Sequence, residues 1–145
     1  HGDTMVAMVN HTKIDGKPLT DIVKQGKIQK KVLDQIINRT KNGGAEIVKF
    51  LEKGSAFYAP AASGVLMAES YIFNKKNQLP CAAFLNGEYG VNNLYAGVPV
   101  VIGNGGVEKV IELKLSEEER NNFDKSIKAV RELFEAAKKI DKDLI

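Results

Sequence analysis

The spacing of apolar side chains along the chain predicts most of its elements. Ile28, Val32, Leu33, Ile36 and Ile37 recur at helical intervals and predict a helix over residues 28–42. Gly43-Gly44 is expected to weaken or kink it. Ile47, Val48, Phe50 and Leu51 resume the pattern over residues 45–53, and Gly54 is the expected stop. A third helix starts near Ser55 or Pro60 and runs to about Lys75. Its residues 59–64 are almost all small, which lets a backbone come close to another helix or to a flat ligand. The clearest helix is the last one. Ser116 and Glu119 have the spacing of a capping box, and Phe123, Ile127, Val130, Phe134 and Ala137 then share one face opposite a charged one.

Other stretches read as extended. Residues 4–14 are rich in β-branched and apolar side chains and predict a strand or extended segment ending at the turn Asp15-Gly16. Pro18 opens a short helical turn around Leu19, Ile22 and Val23, which Gly26 breaks. Residues 79–85 predict a strand followed by Asn86-Gly87, a hairpin signal. Residues 98–102 and 107–113 predict a second hairpin around Gly103-Asn104-Gly105-Gly106. The sequence shows no internal repeat, low-complexity tract or linker. Strands and helices are segregated, so the expected fold class is α+β: an antiparallel sheet packed with long helices, in one domain over residues 1–145.

Composition narrows the function classes. A chain of 145 residues, 43% hydrophobic and 27% charged, is long enough to bury a core and too apolar to be disordered. The net charge of +3 is spread along the chain without a basic run, which argues against a nucleic-acid partner. No stretch approaches the length of a membrane span. Cys81 is the single cysteine, so an internal disulfide is excluded and a reducing, cytoplasmic compartment is expected. The abrupt start at His1, without an initiator Met or a signal-peptide pattern, suggests a fragment or a processed chain.

Few residues invite chemistry by themselves. Gly103-Asn104-Gly105-Gly106 follows an apolar strand, as a dinucleotide loop would, but Glu108 stands where the fingerprint needs its third glycine. The following residues also alternate like a strand, so a hairpin turn is the better reading. There is no Walker A lysine. His1 and His11 are not spaced as a zinc pair, and no metal site is expected. Met5 and Met8 read as core, and Glu46 and Glu69 as solvated helix carboxylates. His1-Gly2-Asp3 stands out, because a histidine exchanges protons near neutral pH and glycine lets the backbone bend toward a substrate. A solvated chain end is the competing reading.

The triplet and several later segments resemble the lactate/malate dehydrogenase superfamily. His1-Gly2-Asp3-Thr4-Met5-Val6 is similar to its histidine signature, and Thr40-Lys41-Asn42-Gly43-Gly44-Ala45-Glu46-Ile47-Val48 to its kinked helix. Gly54-Ser55-Ala56-Phe57-Tyr58-Ala59-Pro60-Ala61-Ala62-Ser63 resembles the segment bordering its active site. Gly87-Glu88-Tyr89-Gly90, residues 97–103 and Phe123-Asp124-Lys125-Ser126 resemble its later turns and last helix. The matches are in order and cover nearly the whole chain. They are nearest to the lactate-dehydrogenase-like malate dehydrogenases, a pattern that apicomplexan-type lactate dehydrogenases share.

The resemblance implies an NAD-dependent oxidoreductase of the tricarboxylic acid cycle, interconverting malate and oxaloacetate, with His1 as proton acceptor and donor. The alternatives are the same domain of a lactate dehydrogenase, acting on lactate and pyruvate, and a non-catalytic, self-associating fragment. Ala56 and Pro60 match positions beside substrate and nicotinamide, although helix packing explains them equally well. Asp3 reads as a buried structural carboxylate. The resemblance also implies partners outside this sequence: an N-terminal Rossmann half that holds most of the NAD, and further copies in a homo-oligomer. That half would carry the aspartate orienting the histidine, the arginine gripping the substrate carboxylate, and the loop separating malate from lactate.

Overall fold

The computed structural model describes residues 2–141, 143 and 144, arranged as two compact units. The first runs to Ala56 and includes Leu115–Ala129; the second comprises Phe57–Lys114 and the chain from Val130 onward. Together they are α+β, with the sheets antiparallel throughout.

In the first unit, the strand or extended segment expected over residues 4–14 pairs only as a two-residue ribbon. Residues 5–8 lack a regular ladder, Val9–His11 form a 3-10 turn, and only β1 (Lys13–Ile14) pairs, with β2 (Lys17–Pro18). The β-branched residues are there, but the chain turns before it finds a partner strand. Asp15 and Gly16 close the ribbon at φ 48° and 76°, both left-handed, as a tight two-residue hairpin requires. Pro18 caps α1 (Leu19–Lys24), whose Leu19 is buried and donates its amide to Thr12 O at 2.9 Å.

Helix α2 (Lys30–Leu51) runs without interruption through Gly43-Gly44, where the sequence suggested a weak point. Leu33, Ile37, Lys41, Gly44 and Val48, at helical spacing, form its half-buried stripe. Beside that stripe, Val32, Ile36, Ile47, Phe50 and Leu51 remain exposed. The helix stops at Leu51, before Gly54, because Glu52 already takes the left-handed conformation at φ 61°.

In the second unit, α3 (Tyr58–Ile72) ends short of Lys75, since Asn74 and Lys76 adopt positive φ. It packs on a three-stranded meander, β3 (Asn77–Asn86), β4 (Asn92–Gly103) and β5 (Gly106–Val110). Alternation sets the register. Cys81 faces Val98, Ala83 faces Ala96 and Leu85 faces Leu94, all buried. Phe84 and Tyr95 pair on the opposite, exposed face. Ser70 is fully buried because both its hydroxyl functions are used: it donates to Ile102 O at 2.6 Å and accepts from Asn77 N at 3.2 Å.

The Asn86-Gly87 signal marks a real reversal, though a wider one than a two-residue turn. Residues 87–91 carry a 3-10 turn in which Tyr89 holds φ 55°. That strained residue is fixed at both ends: its amide donates to Glu112 at 2.6 Å, and its hydroxyl donates to Ile111 O at 2.6 Å. β5 ends at Val110, three residues before its expected limit, and Ile111 N turns back to Pro99 O. Helix α4 (Glu117–Ile140) opens on the expected capping box and contributes to both units.

Candidate functional site

His1, the expected acid/base, lies outside the described residues. The structure shows how the segment that follows it is held, and all of this holding is within the first unit. Gly2 has φ 113°, where a side chain would be strained, and donates its amide to Lys41 O on α2 at 2.8 Å. Met5 N closes a turn onto Gly2 O at 3.0 Å. The Thr4 hydroxyl meets that of Ser126 on α4 at 3.3 Å, and Asn10 N donates to Glu119 Oε1 at 3.3 Å. The histidine segment is therefore tied to α2 at its start and to α4 at two further points. Asp3 sits in the Gly2–Met5 turn and is exposed, which corrects the expectation of a buried carboxylate: a turn residue has no packing layer over it. Met5 and Met8 are half-buried.

Glu119 does two jobs. Its Oε2 accepts from Ser116 N and Oγ, both at 2.9 Å, completing the capping box, while Oε1 takes Asn10. Burial pushes its carboxyl pKa up, but the hydrogen bonds from Ser116 and Asn10 outweigh burial and hold it below the ordinary value. The same segment lines a cleft of about 520 Å³ with α1, α2 and the start of α4. Lys24, Lys30 and Lys41 line it together with Asp34, Glu118 and Glu119, so the charges balance.

Ala56 is half-buried in the link after α2. Pro60 is exposed at the third position of α3, where its missing N–H removes no helical bond. They belong to different units, Ala56 to the first and Pro60 to the second. Both are small and apolar, a surface chemistry that suits the face of a planar ring.

The glycine-rich loop is a two-residue hairpin turn between β4 and β5. Asn104 N donates to Asn74 Oδ1 at 3.1 Å and Gly105 N to Glu108 Oε1 at 3.4 Å, so the amides that would cradle a phosphate are already taken, one by a carboxylate. Residues 103–106 therefore offer no free turn amides to a pyrophosphate. Among the described residues no group of three or more His, Cys, Asp or Glu is placed to hold a metal. No helix among them is long and apolar enough to cross a membrane.

Several of these contacts were not legible as motifs. A backbone carbonyl in mid-helix, such as that of Lys41, carries no residue-type signal. The Asn10–Glu119 bond joins positions 109 residues apart. Arg39 and Glu46 form a two-pronged ion pair, at 2.9 and 3.1 Å, but at a spacing of seven residues, which the helix rule of three or four does not flag.

Residues 1–141 match the model of the lactate/malate dehydrogenase, alpha/beta C-terminal domain. A malate dehydrogenase of Pelagibacter ubique is 62% identical over 144 residues, 99% of this chain and 45% of that protein. The crystal structure of Cryptosporidium parvum malate dehydrogenase superposes with a TM-score of 0.92 at 46% identity, covering 96% of this chain and 44% of that one. Lactate dehydrogenase from Eimeria maxima, solved with NADH and oxamate, gives a TM-score of 0.92 at 42% identity over 98% of this chain and 44% of that one. The chain thus spans less than half the length of the relatives it matches. A match over residues 1–141, with structural agreement across nearly all of the chain, makes it a member of the lactate/malate dehydrogenase C-terminal domain family.

Proposed function

We propose that this chain is the substrate-binding, acid/base half of an NAD-dependent malate dehydrogenase. The observation that carries the reading is the 62% and 54% identity to two malate dehydrogenases, over 99% and 100% of the chain. In malate oxidation the His1 imidazole takes the proton of the C2 hydroxyl, leaving the C2 hydride to depart; in reduction it returns that proton to the carbonyl oxygen of oxaloacetate. NAD, when bound, supplies the hydride acceptor. The tethering of Gly2, Thr4 and Asn10 to α2 and α4 suits a histidine that must stay within reach of a small substrate. Ala56 and Pro60 border the substrate and the nicotinamide.

On this reading the chain works with a nucleotide-binding half, which supplies the phosphate cradle that residues 103–106 do not provide. The enzyme is a homo-oligomer of the cytoplasm serving the malate step of the tricarboxylic acid cycle. A reducing compartment suits Cys81, which is buried and whose thiol pKa burial raises. The test is NADH oxidation by the chain joined to a nucleotide-binding half. Oxaloacetate should be reduced well ahead of pyruvate. Preference for pyruvate would make this the lactate enzyme, and no turnover of either would remove the catalytic reading.

A further inference from the structure

Arg39, Gly43 and Glu46 share one stripe of α2, at intervals of four and three residues. Above the stripe, Arg39 Nε and Nη2 hold both carboxylate oxygens of Glu46, bridging two helical turns. Gly43-Gly44, the poorest helix formers in α2, lie between the two bridged residues. Lys41 also lies within the bridged stretch, and its carbonyl accepts the Gly2 amide at 2.8 Å. Gly2 is the residue next to His1. We propose that the Arg39–Glu46 pair is a positioning element for His1: it holds the glycine-weakened turns of α2 in place, and through Lys41 O and the Gly2 amide it fixes the backbone beside the catalytic imidazole.

Neither side chain needs to touch substrate. The pair is the electrostatic reinforcement of a helix segment whose own propensity is low. Each partner stabilises the charge of the other, raising the Arg39 pKa and lowering that of Glu46, first through the hydrogen bonds and then through direct attraction. Both side chains are solvent-accessible, so salt should weaken the clasp. An alanine at Gly43 offers a second way to stiffen the same turns, because a Cβ there meets nothing within 4 Å.

This inference rests on the proposed role of His1, and the experiment separates the two. Arg39→Gln and Glu46→Gln are made in the chain alone and in the enzyme joined to its nucleotide-binding half. In the chain, hydrogen exchange at the Gly2 amide should accelerate in both variants. In the enzyme, kcat for oxaloacetate should fall about threefold, the scale of a surface ion pair, while the KM for NADH stays unchanged. Adding Gly43→Ala to either variant should restore kcat and slow Gly2 exchange together. Unchanged Gly2 exchange, or a loss of kcat that Gly43→Ala leaves unrepaired, overturns the positioning role. If His1→Asn keeps full activity in the same assay, the acid/base reading itself fails, whatever the clasp does.

Discussion

Replacing Glu119 by Gln should cut one specific tether of the histidine segment. The carboxylate accepts on both oxygens, Oε1 from Asn10 N and Oε2 from Ser116 N and Oγ. A carboxamide has one acceptor oxygen. Gln serves in capping boxes, so that oxygen stays with Ser116, and the NH2 group is left facing the Asn10 amide, donor against donor. The lost bond was charge-assisted, but Asn10 is exposed and its amide can turn to water. The cost should be about 1–2 kcal/mol at neutral pH. The effect also has a pH signature. The folded pKa of Glu119 lies below its ordinary value, so its contribution is fully present above the unfolded pKa and fades as pH falls through the folded one. Urea denaturation of both proteins at a series of pH values is the assay. The stability gap should be full at pH 7 and should narrow as the solution becomes acid. An equal gap at every pH, or none at pH 7, would refute the assignment of the Asn10 bond to an ionised Glu119.

Gly103→Ala should destabilise the chain by about 1 kcal/mol, the scale of a disturbed hydrogen bond, because an added Cβ would stand 2.7 Å from Glu108 Cδ and 2.8 Å from Asn74 Oδ1 and so displace the side-chain ends that close the β4–β5 turn; a thermal melt unchanged from the parent would show that these side chains swing aside at no cost. The chain by itself should associate. Phe50, Ile36, Tyr58 and Ile72 are more than half exposed, and covering even about 500 Å² of such surface favours association by roughly 12 kcal/mol before the entropic costs of binding, which are of similar size. Sedimentation equilibrium should find a dimer or larger species at micromolar concentration. A single 15.9 kDa species at high concentration would contradict this.

Local rules recovered the elements whose stability is local. The capping box at Ser116 and Glu119 and the hairpin at residues 103–106 were readable because their residue types specify their hydrogen bonds. Of the strand or extended segment expected over residues 4–14, only residues 13–14 pair, because β propensity states what fits a sheet and cannot supply a partner strand. Gly43-Gly44 lower helix propensity without ending the helix: the half-buried stripe from Leu33 to Val48 and the Arg39–Glu46 pair span them. The candidate site residues His1, Ala56 and Pro60 could be named only from the resemblance of residues 1–6 and 54–63 to the family's segments. The supports of the histidine segment, the Lys41 carbonyl and the double use of Glu119, depend on contacts between segments distant in the chain.

The central claim is that this chain carries the acid/base of a malate dehydrogenase. The most direct test is kcat for oxaloacetate reduction by the enzyme joined to its nucleotide-binding half, with His1 and with His1→Asn. Asparagine lacks a proton to exchange near neutral pH, so kcat should fall by about two to four orders of magnitude, with NADH binding nearly unchanged. Retained turnover, or a parallel loss of NADH binding, would contradict the assignment of His1 as the group that moves the substrate proton.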